Sequence, residues 1–187
     1  GIKEDSFVLA AFHGNHKITS KELRCWNRIL KKSANSILWV SDMNKYAKEN
    51  FLAEFQRFGG DLNKLIFAPK MNLSSEHLSR HKCADLFIDT FNYNAQATAI
   101  DSLWAGLPIV TLMGRSFSAR IASSLLTSLD MTELIANDLK EYEDIILNLA
   151  KDNKKLYRIK KRLEENKSKN VLFDSIKSTR DLEDIYR

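Results

Sequence analysis

From Phe7 to Leu112, short apolar runs alternate with longer segments whose apolar residues recur at helical steps. The runs are Phe7–Phe12 (FVLAAF), Ile37–Val40 (ILWV), Leu65–Ala68 (LIFA), Leu86–Asp89 (LFID) and Pro108–Leu112 (PIVTL). Each is mostly apolar rather than alternating, as strands covered on both faces must be. Between the first two runs, Leu23, Trp26 and Leu30 recur at three- and four-residue steps; between the second and third, Met43, Ala47, Phe51, Phe55 and Phe58 do the same. Strands alternating with amphipathic helices are the pattern of successive βα units around a parallel sheet. Gly59-Gly60 stands where a left-handed C-cap closes the second helix, and Asp61 opens the turn into the next strand. Beyond Leu112 the spacing is helical over Arg120–Leu129, Leu139–Leu149 and Lys154–Leu163, so no further strand is expected. The expected fold class is α/β: a Rossmann-like parallel sheet flanked by helices over residues 1–150, then a helical C-terminal extension over 151–187 packed on the same domain.

Composition narrows the class. With 187 residues, 44% hydrophobic and 28% charged, the chain has the length and the apolar share for one well-buried core. No apolar run reaches the length of a membrane span. The start Gly1-Ile2-Lys3 carries no initiator Met and no secretory pattern, and it reads as a piece of a longer polypeptide. Two cysteines, Cys25 and Cys83, form neither a framework nor a metal spacing, so a reducing, cytoplasmic setting is expected. The formal charge of +5 is local: residues 151–169 carry nine Lys or Arg against three acids, and Tyr157 is the single aromatic among them. A solvated helical face explains that segment better than a stacking platform, and neither nucleic acid nor membrane is an expected partner.

In an open parallel sheet, ligands bind beyond the carboxyl ends of the strands, so the loops there carry the candidate chemistry. After the first strand comes His13-Gly14-Asn15-His16-Lys17, with a glycine that lets the backbone approach a ligand and a lysine suited to phosphate; alone it reads as a surface turn. After the fourth, Asn94 stands as an N-cap ahead of Ala95, Ala97 and Ala99, whose small side chains leave a helix start open to an anion such as a diphosphate. Asp101 lies three residues past Thr98, on the same helical face, where a carboxylate accepts hydrogen bonds from ribose hydroxyls or merely favours the helix dipole. Ser74 with His77 opens a helix continuing through Leu78 and Cys83, with His77 near its first turn. Gly114-Arg115-Ser116-Phe117-Ser118 reads as a structural connection. No G-x-G-x-x-G, P-loop, H-E-x-x-H or nucleophile elbow occurs, which leaves dehydrogenase, NTPase, zinc and hydrolase readings without support.

The segments FVLAAFHGNHKI, SILWV, KLIFAP, SSEHLSRHKCADLFIDT, NAQATAIDSLWAGLPIVTL and SARIASSLL, in that order, resemble the C-terminal catalytic lobe of the O-GlcNAc transferase family, including its bacterial tetratricopeptide-repeat and SPINDLY-type members. The resemblance runs from Phe7 to Leu149. It implies one Rossmann-like lobe of a two-lobed, GT-B type glycosyltransferase that binds a UDP-sugar and transfers the sugar, N-acetylglucosamine in relatives, to protein side chains without a cofactor or metal. It also implies that Lys17 contacts the diphosphate, His77 lies by the uracil, Gln96, Ala97 and Thr98 occupy the helix-start phosphate site, and Asp101 holds the ribose. Members commonly have His-Thr-Thr where Gln96-Ala97-Thr98 stands, and a larger amide where Gly14 stands. The family's catalytic base and much of its acceptor site belong to the other lobe and the repeats, so this chain by itself is expected to be inactive and to hold no catalytic residue. Two other readings stay open: a degenerate lobe serving as an interaction module, and an unrelated flavodoxin-like domain whose basic tail meets nucleic acid.

Overall fold

A computed structural model describes Ile2, Lys3 and residues 5–187. Its strands are β1 (Phe7–Ala11), β2 (Ser36–Ser41), β3 (Leu65–Ala68), β4 (Leu86–Ile88), β5 (Ile109–Leu112) and β6 (Ile135–Ala136). All pair in parallel, in the order β3-β2-β1-β4-β5-β6. The five strands expected from the apolar runs are all present, with ends shifted by a residue. Leu9, Leu86, Phe87, Ile88 and Ile109 are fully buried in β1, β4 and β5, which are buried throughout and so lack the alternation of half-exposed strands, whereas β2 and β3 keep half-buried positions.

The helices are α1 (Ser20–Lys32), α2 (Lys45–Arg57), α3 (Ser74–His81), α4 (Ala97–Trp104), α5 (Ile121–Ser128), α6 (Leu139–Lys151), α7 (Asn153–Lys167) and α8 (Ser175–Ile185). They contact one another in series: α2 with α1, α1 with α6, α6 with α7, α7 with α4 and α4 with α3. A capping box opens α1: Thr19 Oγ1 accepts from Lys21 N, and the Glu22 carboxylate accepts from Thr19 N at 2.8 Å, an arrangement worth about 1 kcal/mol. Leu23, Trp26 and Leu30 of α1 are buried, as their spacing requires. Gly59, at φ +76°, closes α2 in the left-handed region. Leu156, Ile159 and Leu163 of α7 enter the same core, whereas Ile176 and Ile185 of α8 are exposed.

Three expectations are corrected. A sixth strand exists, β6, but its two residues carry no period; only the pairing of Thr111 with Ile135 and Leu112 with Ala136 defines it. The helix α3 stops at His81, two residues before Cys83. Asn94 is not an N-cap: it is buried, its amide donates to Thr90 O at 2.7 Å, and α4 begins later, at Ala97.

The order β3-β2-β1-β4 means that the chain builds outward from β1 on one side and then returns to its other side. The carboxyl ends of β1 and β4 therefore diverge at a topological switch point, where open α/β sheets bind ligands.

Candidate functional site

The loop leaving β4 is held from inside by two buried carboxylates. Asp89 Oδ1 accepts from Thr90 N at 2.9 Å and from Ala95 N at 2.7 Å, while its Oδ2 accepts from the Thr111 hydroxyl of β5 at 2.7 Å. Glu22, which also caps α1, accepts from Phe91 N at 2.9 Å. The Tyr142 hydroxyl donates to the Asp89 carbonyl at 2.9 Å, and Ser118 O receives Asn94 N at 2.9 Å. Complete burial pushes the Asp89 carboxyl up to about 7, against the pull of its hydrogen bonds and of Lys17. The short connection Gly114–Ser118 thus acts as a brace for this loop.

With the loop fixed, α4 points its first turn outward. Ala97 is exposed, Gln96 and Thr98 are half-buried, and no side chain caps the helix. The first amides of an α-helix have no intrahelical partners, so an uncapped start offers them, with the positive end of the dipole, to an anion.

Lys17 reaches this place from the loop after β1. Its Nζ donates to Asn94 O at 3.0 Å and lies 4.2 Å from the centre of the Tyr93 ring. Partial burial pulls its ammonium below the ordinary lysine range, and the negative charge of Asp89 opposes that shift. Gly14 has an ordinary extended backbone, φ −63° and ψ 134°, so its conformation does not require glycine.

One turn into α4, Asp101 faces α3. His77 Nε2 lies 3.7 Å from Asp101 Oδ2, and His77 Nδ1 lies 2.7 Å from Arg80 Nη2. A guanidinium only donates, so Nδ1 is the acceptor and the ring proton sits on Nε2, facing the carboxylate. Desolvation and then Arg80 lower the His77 pKa, with Asp101 opposing, which keeps the ring neutral at pH 7. Arg80 is itself fixed by donating to Pro69 O at 3.0 Å and by lying 4.4 Å over the Phe12 ring.

The structure therefore ties Lys17 to the segment leading into Gln96, Ala97 and Thr98, pairs His77 with Asp101, and sets Thr98 and Asp101 one turn apart on α4. The sequence reading missed Asp89, Glu22 and Arg80. Arg80 had a signal, since it stands one turn after His77 on the same helix face. Glu22 had a local signal only as the capping-box partner of Thr19; the bonds that tie Asp89 to Thr111 and Glu22 to Phe91 had none, because they span 22 and 69 residues. Among the described residues no three His, Cys, Asp or Glu side chains gather so as to hold a metal ion, and no helix is long and apolar enough to cross a membrane.

A sequence model of glycosyl transferase family 41 matches residues 1–182. The chain belongs to that family. It is 32% identical over its whole length to a probable UDP-N-acetylglucosamine–peptide N-acetylglucosaminyltransferase, SEC, of Arabidopsis thaliana, of which it covers 19%. It is 31% identical over 96% of its length to a probable enzyme of the same description, SPINDLY, of Solanum lycopersicum, covering 20% of that protein. The chain thus spans about a fifth of the length of these relatives. A mutant of Thermobaculum terrenum O-GlcNAc transferase superposes with a TM-score of 0.87 at 25% identity, over 98% of this chain and 36% of that one. S. aureus TarM, at 9% identity and a TM-score of 0.64 over 87% of this chain and 32% of that one, shares the fold alone. The fold is that of a GT-B glycosyltransferase lobe, which sets aside the unrelated flavodoxin-like reading.

Proposed function

We propose that this chain is the donor-binding lobe of a larger protein glycosyltransferase, holding a UDP-sugar at the switch point for transfer of the sugar, N-acetylglucosamine by analogy with the relatives' names, to a protein side chain. In this reading residues 1–150 form the nucleotide-sugar lobe and 151–187 an extension packed on it, in a reducing, cytoplasmic setting. The observation that carries the proposal is the placement of the Lys17 ammonium on Asn94 O, three residues ahead of the uncapped start of α4.

The chemistry follows from charge. When the bond between the sugar's anomeric carbon and the diphosphate breaks, the departing UDP gains negative charge. Lys17 and the α4 dipole meet that charge, so their contacts strengthen toward the transition state and lower the barrier. Gln96, Ala97 and Thr98 line the helix start, with Ala97 lacking the hydroxyl that relatives commonly place there. Asp101 accepts from the ribose hydroxyls, and His77, its ring proton fixed on Nε2 by Arg80, stands beside it at the base. The group that activates the acceptor hydroxyl is proposed to belong to the rest of the larger enzyme.

Calorimetric titration of the chain with UDP, GDP and their sugars tests this reading. Saturable one-site binding that favours the uracil nucleotide supports it. Absence of UDP binding, to this chain and to its full-length parent, selects the interaction module instead. The chain alone is expected to transfer no sugar to peptides even with donor in excess, and robust turnover would contradict the division of labour between lobes.

A further inference from the structure

A fully buried carboxylate with no arginine or lysine in direct contact costs stability unless hydrogen bonds compensate it. Asp89 is such a group. Its two oxygens collect three donors from three places: the next residue, the end of the loop at Ala95, and Thr111 on the neighbouring strand β5. The Ala95 amide it grips adjoins Asn94, the residue whose carbonyl receives Lys17. Among the charged groups, Lys17 is the cation that acts on Asp89. Glu22 of α1 holds Phe91 of the same loop, Tyr142 of α6 donates to the Asp89 carbonyl, and His13 after β1 is buried and neutral, its pKa pulled down to about 4.

We propose that Asp89 is a positioning residue whose ionised carboxylate holds the 90–96 loop and Lys17 in the geometry that receives the donor's diphosphate. This rests on the donor-binding reading above and adds to it a residue that touches no ligand. Ionised, Asp89 accepts three hydrogen bonds and draws the Lys17 ammonium toward the loop. Protonated, it loses acceptor strength toward the two backbone amides and no longer attracts the lysine. Because its pKa stands at about 7, the change falls within reach of ordinary buffers.

The test is the affinity for UDP-N-acetylglucosamine from about pH 8 to pH 5.5. Its diphosphate is esterified at both ends and does not titrate there, unlike that of UDP. Wild-type affinity is expected to fall by roughly tenfold toward acid, with a midpoint near the Asp89 value. In Asp89→Asn, which keeps an acceptor for the two amides, affinity at pH 8 is expected to drop about tenfold and the step near neutral pH to vanish, leaving only the change that His77 makes at lower pH, with the melting temperature unchanged or raised. Thr111→Val removes one donor to the carboxylate and is expected to move the midpoint of the step to higher pH. Equal affinity and an unchanged pH profile in Asp89→Asn, or an unmoved midpoint in Thr111→Val, overturns the proposal while leaving the donor-binding reading intact. Failure of the wild type to bind at any pH defeats that reading itself.

Discussion

The Nε2 of His77 lies 3.7 Å from the Oδ2 of Asp101, and the pair joins α3 to α4 at the mouth of the switch point. The Asp101 side chain is 41% exposed, and facing a neutral imidazole it forms no ion pair among the described residues at pH 7, so it contributes little to folding. Asp101→Asn is therefore expected to cost about 1–3 kcal/mol in UDP affinity with little change in melting temperature. A lowered melting temperature with undiminished binding means that the aspartate serves the helices and not a ligand.

For Lys17, a charge-assisted contact with a diphosphate in a partly desolvated place is worth roughly 1.5–3 kcal/mol. Lys17→Ala is expected to weaken UDP binding by about tenfold or more. Lys155→Ala on the exposed face of α7 is the control and is expected to change nothing. Equal losses from both describe diffuse attraction to a basic surface.

Ala97 opens α4 and is exposed, so a larger side chain meets no packing constraint there. Ala97→Thr restores the hydroxyl common among relatives and is expected to tighten UDP binding by about tenfold, one hydrogen bond to a charged oxygen, at equal stability of the unliganded protein. Unchanged affinity would place the phosphates elsewhere.

How much of this was legible in the sequence divides along the range of the interactions. Strands such as Leu86–Ile88 announce themselves because both faces are buried, and α1 does so because Leu23, Trp26 and Leu30 share one face. The candidate residues Lys17, His77 and Asp101 stand out in the sequence because they follow strand ends or lie within the first turns of the next helix. The shape of the loop between β4 and α4 was not legible. Asn94 looks like a cap, yet Asp89 takes the Ala95 amide and Ser118 takes the Asn94 amide, so the helix start slides to Ala97. Such long-range competition leaves no local pattern to read.

Acid stability follows from three buried groups. His13 and His81 are pulled down to about 4 by desolvation, so unfolding takes up a proton at each below the ordinary value of 6.5; their contribution is present above that value and lost as pH falls. Asp89, raised from 3.8 to about 7, works the opposite way: its contribution is present at low pH and lost as pH rises. Between about pH 4.5 and 6 the three leave a net uptake of about one proton on unfolding, so stability from these groups drops by about 1.4 kcal/mol per pH unit on acidification. Asp89→Asn removes the opposing proton, and urea titrations across this window are expected to show roughly twice the slope. A slope unaltered by the substitution contradicts the burial of a titrating Asp89.

The thiols differ as their surroundings do. Cys25 is fully buried, its pKa raised to about 12 by desolvation first and by Glu143 next, whereas Cys83 is exposed. An aromatic disulfide reagent at neutral pH is expected to modify one thiol per native chain quickly and the second only in denaturant. Two fast equivalents contradict the packing of α1 against α6.

The most direct measurement of the central claim is a backbone amide NMR titration of the chain with UDP. Binding at the switch point predicts the largest shifts at Lys17, His77, Ala97, Thr98 and Asp101, saturating together, with α7 amides such as Lys155 unmoved. Shifts spread along α7, or none at the start of α4 at saturating UDP, contradict it.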